Sequence, residues 1–128
     1  MKRVEDCMSP TVVTVDASAT LDRAAQAMME RKVGSAVIVE AGRLVGIITE
    51  RDILRAVARA LVPWSTPVSE CMTAEPQTVS PQTSAEEALS MMLSHRFRHL
   101  PVIGDKGVMG IVSLRDLAGS EQTPVSDK

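Results

Sequence analysis

The chain has 128 residues, 45% of them hydrophobic and 23% charged, which suits one compact protein with a workable core. A formal net charge of −2, with acids and bases intermixed, argues against a general electrostatic grip on nucleic acid; one Trp, one Phe and no Tyr leave no row of stacking platforms for single strands. No apolar run approaches the roughly 20 residues that span a bilayer, and Met1-Lys2-Arg3-Val4-Glu5-Asp6 lacks the apolar stretch of a secretory signal, so no membrane association and a cytoplasmic location are expected.

The chain opens on a short turn, Val4-Glu5-Asp6-Cys7-Met8, followed by an extended piece, Val12-Val13-Thr14-Val15. Thr20 stands where a helix N-cap is expected. Leu21, Ala24, Ala25 and Met28 then fall at i, i+3, i+4 and i+7, the apolar face of a helix, with methionine as core filling. Two runs rich in Val and Ile, 36–39 and 44–48, flank the Gly-containing turn 40–43 and read as a hairpin. A helix is expected from Thr49 to about Arg59, and Pro63 to Pro67, around Trp64, reads as a linker.

From Val68 the order returns without a gap, 64 residues on. Laid on 68–122, residues 4–58 repeat Val4, Cys7, Met8, Thr14, Val15, Ala24, Met28, Gly46, Ile47, Arg51 and Asp52 as the same residue types. The second copy predicts an extended piece at 76–79 and a helix capped by Ser84, with Glu87 completing a capping box. Its helix face is Ala85, Ala88, Leu89 and Met92, its hairpin 100–103 and 108–112, and its last helix starts at Ser113. Gly119 and Pro124 are expected to stop that helix early. The domain reading is a first repeat over 4–62, a linker over 63–67, a second repeat over 68–119 and a disordered polar tail over 120–128. Each repeat reads β-α-β-β-α, an α/β (α+β) class. One copy alone leaves a sheet face bare, so two copies packed face to face through their sheets are expected.

The most informative stretch is Gly46-Ile47-Ile48-Thr49-Glu50-Arg51-Asp52, repeated as Gly110-Ile111-Val112-Ser113-Leu114-Arg115-Asp116. An apolar strand that ends in Thr or Ser and turns into a helix puts the hydroxyl at the N-cap and the Asp at N3, a capping box. A helix N-terminus also offers free N–H groups to an anion. Cap and ligand site both remain open on the residues alone. Catalysis is not indicated: no Ser/His/Asp or Cys/His set is suggested by spacing, and neither a P-loop nor Gly-x-Gly-x-x-Gly occurs. Cys7, Cys71 and the two His lack zinc-ligand spacing, and the cysteines are expected as free thiols.

With the duplication, the element order and the paired signatures, the chain resembles a tandem pair of CBS domains, or Bateman module, from Val4 to about Ala118. Met8 before Thr14-Val15, the Ala24/Met28 helix and the run His99-Leu100-Pro101-Val102 support the resemblance. It implies binding of adenosine-containing ligands (AMP, ADP or ATP, with S-adenosylmethionine or NAD as further members of the class) in clefts between the repeats. Asp52 and Asp116 would accept from the ribose hydroxyls, since a carboxylate offers two oxygens side by side to a cis-diol. Thr49 and Ser113 would meet ribose or phosphate, and backbone at Thr14-Val15 and Thr78-Val79 the adenine edge. Gly34-Ser35 in the first copy and Arg98-His99, followed by Leu100, in the second would line the phosphate path. The first copy has Ala36-Val37 where the family often shows Leu-Pro, and it lacks the basic pair. Arg98 also reads as a solvated charge and His99 as a structural histidine. The function implied is a stand-alone regulatory module that binds an adenine nucleotide, forms a homodimer and signals to an effector protein not encoded here. The alternative is a ligand-independent dimerisation scaffold.

Overall fold

A computed structural model describes residues 2–121 of the chain, with side chains through residue 118. The described residues form five α-helices and six strands, in the order α1 (Val4–Cys7), β1 (Thr14–Asp16), α2 (Leu21–Arg31), β2 (Ser35–Glu40), β3 (Arg43–Thr49), α3 (Glu50–Ala58), β4 (Thr73–Ala74), α4 (Ala85–His95), β5 (His99–Gly104), β6 (Gly107–Ser113) and α5 (Leu114–Glu121). A 3-10 turn at Val68–Glu70 precedes β4. The mixed α/β class expected from the repeat is what forms.

The chain folds as two compact units, and these are not the two sequence copies. One unit is residues 11–76; the other, among the described residues, joins 2–10 to 77–121. Each copy therefore lends its opening segment to the other copy's helix and hairpin. In the unit of residues 11–76 the sheet runs β1-β2-β3-β4, with β1 parallel to β2 and the other pairs antiparallel. Its outer strand, Thr73–Ala74, comes from the second copy's opening and pairs with Ile47 and Gly46. In the other unit β5 and β6 form the hairpin, Val79 bridges Val102 in parallel, and Ser9 from the first copy's opening bridges Ile111.

The helix starts repeat the same exchange. The N–H groups of Leu21 and Asp22 donate to the carbonyls of Thr66 (2.8 Å) and Pro63 (3.2 Å), while Ala85 N–H donates to Lys2 O (2.9 Å). Val68 N–H returns to Ala19 O and Val4 N–H to Thr83 O, each at 2.8 Å. Free N–H groups of a first helical turn need acceptors, and here the backbone leading into the other copy supplies them. Thr20 does occupy the N-cap of α2, but its side chain does not cap the helix. The stretch read as a linker, 63–67, is thus part of a helix cap, with Thr66 buried and Trp64 and Ser65 exposed. Ser84 does accept from Glu87 N–H at 3.0 Å, the Ser half of the box expected there.

Two further details depart from expectation. The extended piece at 76–79 shrinks to the single bridge at Val79. In the first copy Ala17 N–H continues the pairing by donating to Val39 O at 2.9 Å; its counterpart is Pro81, which has no N–H to donate. The last helix, α5, runs on through Gly119 to Glu121, because one glycine costs a helix only about 1 kcal/mol and Pro124 restricts no residue earlier than 123. The rest of the predicted tail lies outside the described residues.

Each unit has its own core. Leu21, Ala24 and Met28 of α2 pack with Val15, Ala36, Ile38, Ile48, Ala56 and Val68 in one. Ala85, Ala88 and Met92 of α4 pack with Val4, Val79, Leu100, Val102, Val112 and Leu117 in the other. Val68 and Val4 are exchanged residues, and both are fully buried. No helix among the described residues is long and apolar enough to cross a membrane.

Candidate functional site

Both signatures form the strand-to-helix corner their spacing predicts. At the end of β3, Thr49 caps α3: its hydroxyl accepts from Asp52 N–H at 3.3 Å, and Asp52 Oδ2 accepts from Thr49 N–H at 2.9 Å and from the Thr49 hydroxyl at 3.1 Å. At the end of β6, Ser113 caps α5 in the same manner, with Asp116 N–H donating to the Ser113 hydroxyl at 3.0 Å and Ser113 N–H to Asp116 Oδ2 at 2.9 Å. Each Asp is fixed through one oxygen, so the other is the one a ligand could use.

That second oxygen separates the copies. Asp52 Oδ1 accepts from Arg55 Nη1 at 3.2 Å, an i,i+3 ion pair in which Asp52 is largely buried and Arg55 exposed. The position matching Arg55 in the second copy is Gly119, and no described basic residue pairs with Asp116.

The residue before each hairpin is tied to the helix start. Gly34 O accepts from Glu50 N–H at 3.0 Å, and Arg98 O accepts from Leu114 N–H at 2.8 Å. Ser35 and His99 open their strands and lie directly opposite the capping residues, in the register Ser35–Thr49 and His99–Ser113. Gly34, Ser35, Thr49 and Asp52 therefore share one corner of their unit, and Arg98, His99, Ser113 and Asp116 the equivalent corner of theirs. Ser35 is buried, His99 half-buried and Arg98 exposed, while Leu100 is fully buried in the core. Leu100 thus supports the corner without lining it.

Sequence reasoning missed what the first helical residue does. In the first copy it is Glu50, and its carboxylate lies over Gly34: a Cβ built on that glycine would stand 2.5 Å from Glu50 Oε2. In the second copy Leu114 takes the place. The signal was present in the ungapped comparison as Glu50 against Leu114, and Arg55 against Gly119; their bearing on Gly34 and Asp52 needed side-chain placement.

At the adenine positions, Val79 spends both backbone groups on β5, donating to Pro101 O at 3.0 Å and accepting from Ile103 N–H at 2.9 Å. Alternation along a strand then turns the backbone of Thr78 toward the open edge. Thr14 holds the equivalent place on β1 beside Val15, which is paired with Ile38. Thr78 and Val79 also line an open hollow of about 420 Å³ with Ser80, Thr83, Glu87, Met91 and Ile103. Among the described residues no group of His, Cys, Asp and Glu could hold a metal ion.

A family model described as CBS domain matches residues 4–59 and again 68–121. The CBS domain-containing protein YhcV of Bacillus subtilis (strain 168) is 39% identical over 124 residues, covering 96% of this chain and 88% of that protein. Among solved structures, the CBS domain protein PAE2072 from Pyrobaculum aerophilum, complexed with AMP, matches with a TM-score of 0.81 at 30% identity, over 89% of this chain and 88% of that one. CBSX2 in complex with AMP matches with a TM-score of 0.75 at 25% identity, over 94% of this chain and 96% of that one. Two family matches in tandem, relatives of similar length and the paired strand-to-helix corners agree: the chain belongs to the CBS domain family, as a tandem CBS pair.

Proposed function

We propose that this protein is a regulatory module, not an enzyme, that binds adenosine-containing ligands at the corners capped by Thr49 and Ser113, an adenine nucleotide in the Ser113 corner, and signals to a separate effector protein as a homodimer in the cytoplasm. The AMP complexes of two related CBS proteins support the ligand class. The observation that carries the reading is the second-copy corner, where an Asp116 oxygen with no described basic partner stands on the same helix start to which Arg98 is tied. A carboxylate suits the ribose diol, and an arginine can fork two hydrogen bonds onto a phosphate. The backbone edges at Thr78 and Thr14 are the contacts for adenine.

Calorimetry with AMP tests this. A charge-assisted hydrogen bond contributes about 1.5–3 kcal/mol, so Asp116→Ala should cost tenfold or more in affinity and Asp52→Ala less. Arg98→Ala should weaken AMP while leaving adenosine nearly unchanged. Equal losses from the two Asp variants, or an Arg98 variant that weakens adenosine as much as AMP, would refute the assignment. A thermal-shift panel of AMP, ADP, ATP, NAD and S-adenosylmethionine then selects the ligand: at 100 times its Kd a ligand specific for the folded state adds about 2.7 kcal/mol. A ligand-independent scaffold would be stabilised by none of them.

A further inference from the structure

The first-copy corner carries its own charges at both places where a nucleotide would bring or meet one. Glu50 is the first residue of α3, and its carboxylate lies over Gly34, at the position assigned to the phosphate path. Arg55 holds the Asp52 oxygen that would otherwise face a ribose diol. The second copy has neither group, because Leu114 and Gly119 stand at those positions and Arg98 replaces Gly34. A helix N-terminus attracts one anion; where a glutamate already sits there, a phosphate arriving at the same place meets like charge.

We propose that the first-copy corner selects an adenosine without a 5′-phosphate, with Glu50 as the residue that turns phosphate away and Arg55 as a competitor that weakens the diol contact. The inference rests on the function proposed above and deepens it: the two corners read different adenosine species, a nucleotide at Ser113–Asp116 and an unphosphorylated nucleoside at Thr49–Asp52. Arg55 tunes the corner without closing it, since a partly exposed i,i+3 pair is worth a factor of about two to five.

The test is calorimetry of the full chain carrying Asp116→Ala, titrated separately with adenosine and AMP. Adenosine is expected to bind at least as tightly as AMP. Adding Glu50→Gln should tighten AMP severalfold and leave adenosine unchanged, whereas adding Arg55→Met should tighten both by about two- to fivefold. If Asp116→Ala does not fold, Asp116→Asn retains an oxygen to accept from Ser113 N–H and should give the same order. AMP binding tighter than adenosine in this background would overturn the proposal, and so would a Glu50→Gln variant with an unchanged ratio. An Arg55→Met variant that loses AMP selectively would instead make Arg55 a phosphate ligand, also overturning it. Should the Asp116 variant bind neither compound while the unaltered protein binds AMP, this proposal falls and the function stands. Should the unaltered protein bind neither, both fall.

Discussion

Gly110→Ala tests whether the exchanged opening segments hold each unit together. Gly110 is buried on β6, and a Cβ added there would stand 2.6 Å from Met8 Sδ, 3.1 Å from Met8 Cγ and 2.8 Å from the carbonyl oxygen of Ser9. The methionine can swing aside; the Ser9 carbonyl cannot, because it accepts from Ile111 N–H at 3.0 Å while Ser9 N–H donates to Ile111 O at 2.8 Å. The methyl group must therefore push the segment off the strand edge or sit overpacked against it. Overpacking of this kind costs about 1–3 kcal/mol, and each backbone bond lost adds about 1 kcal/mol. Taking about 2 kcal/mol, the melting temperature of a chain this size should fall by about 6–10 °C. Thermal unfolding followed by far-UV circular dichroism reads the shift. Adding Met8→Ala should restore part of it and not all, since the Ser9 clash remains. A Gly110→Ala protein melting within about 1 °C of the unaltered one would refute the reasoning. The first copy has the same arrangement, with Met72 and the Thr73 carbonyl closing over Gly46, so Gly46→Ala should behave alike.

Thr49→Ala removes the side-chain cap of α3 and should cost about 0.5–2 kcal/mol in denaturant unfolding, with Thr49→Ser recovering most of it; equal stability of all three proteins would contradict the cap geometry. Asp16 accepts from the Ser18 hydroxyl at 2.6 Å and the Ser18 N–H at 2.9 Å, which hold its carboxyl below the usual value, the side-chain bond most strongly. A depressed folded-state value stabilises above the unfolded one and is lost as pH falls through it, so the stability gap between the unaltered protein and Ser18→Ala should be present at pH 7 and shrink below about pH 4. Cys7 and Cys71 are both free, and burial, together with Glu70 and Asp52, pushes the Cys71 thiol up. Alkylation without reductant should label both on unfolding, with native Cys71 reacting slowly at pH 7; a Cys7–Cys71 linked peptide would overturn this. A homodimer should appear by light scattering at tens of micromolar, and a single monomer mass would remove it.

The duplication, the helix faces and the strand-to-helix corners were legible in the sequence because each depends on residues close together. Leu21, Ala24 and Met28 recur at helical spacing, and Thr49 with Asp52, like Ser113 with Asp116, closes its hydrogen bonds over three residues. Such local patterns need no knowledge of what packs where. What tertiary structure alone decided is which opening segment completes which unit. Val4 and Val68, Met8 and Met72 are so alike that either could serve either hairpin by composition, and only the path of the backbone assigns residues 2–10 to the second hairpin and 63–76 to the first. The inequality of the two corners was decided in part at the same level. Arg55 against Asp52 is itself a local i,i+3 pair within α3; Glu50 looks in sequence like an ordinary helix-surface charge, and only the fold lays its carboxylate over Gly34, beside the hydrogen bond from Glu50 N–H to Gly34 O.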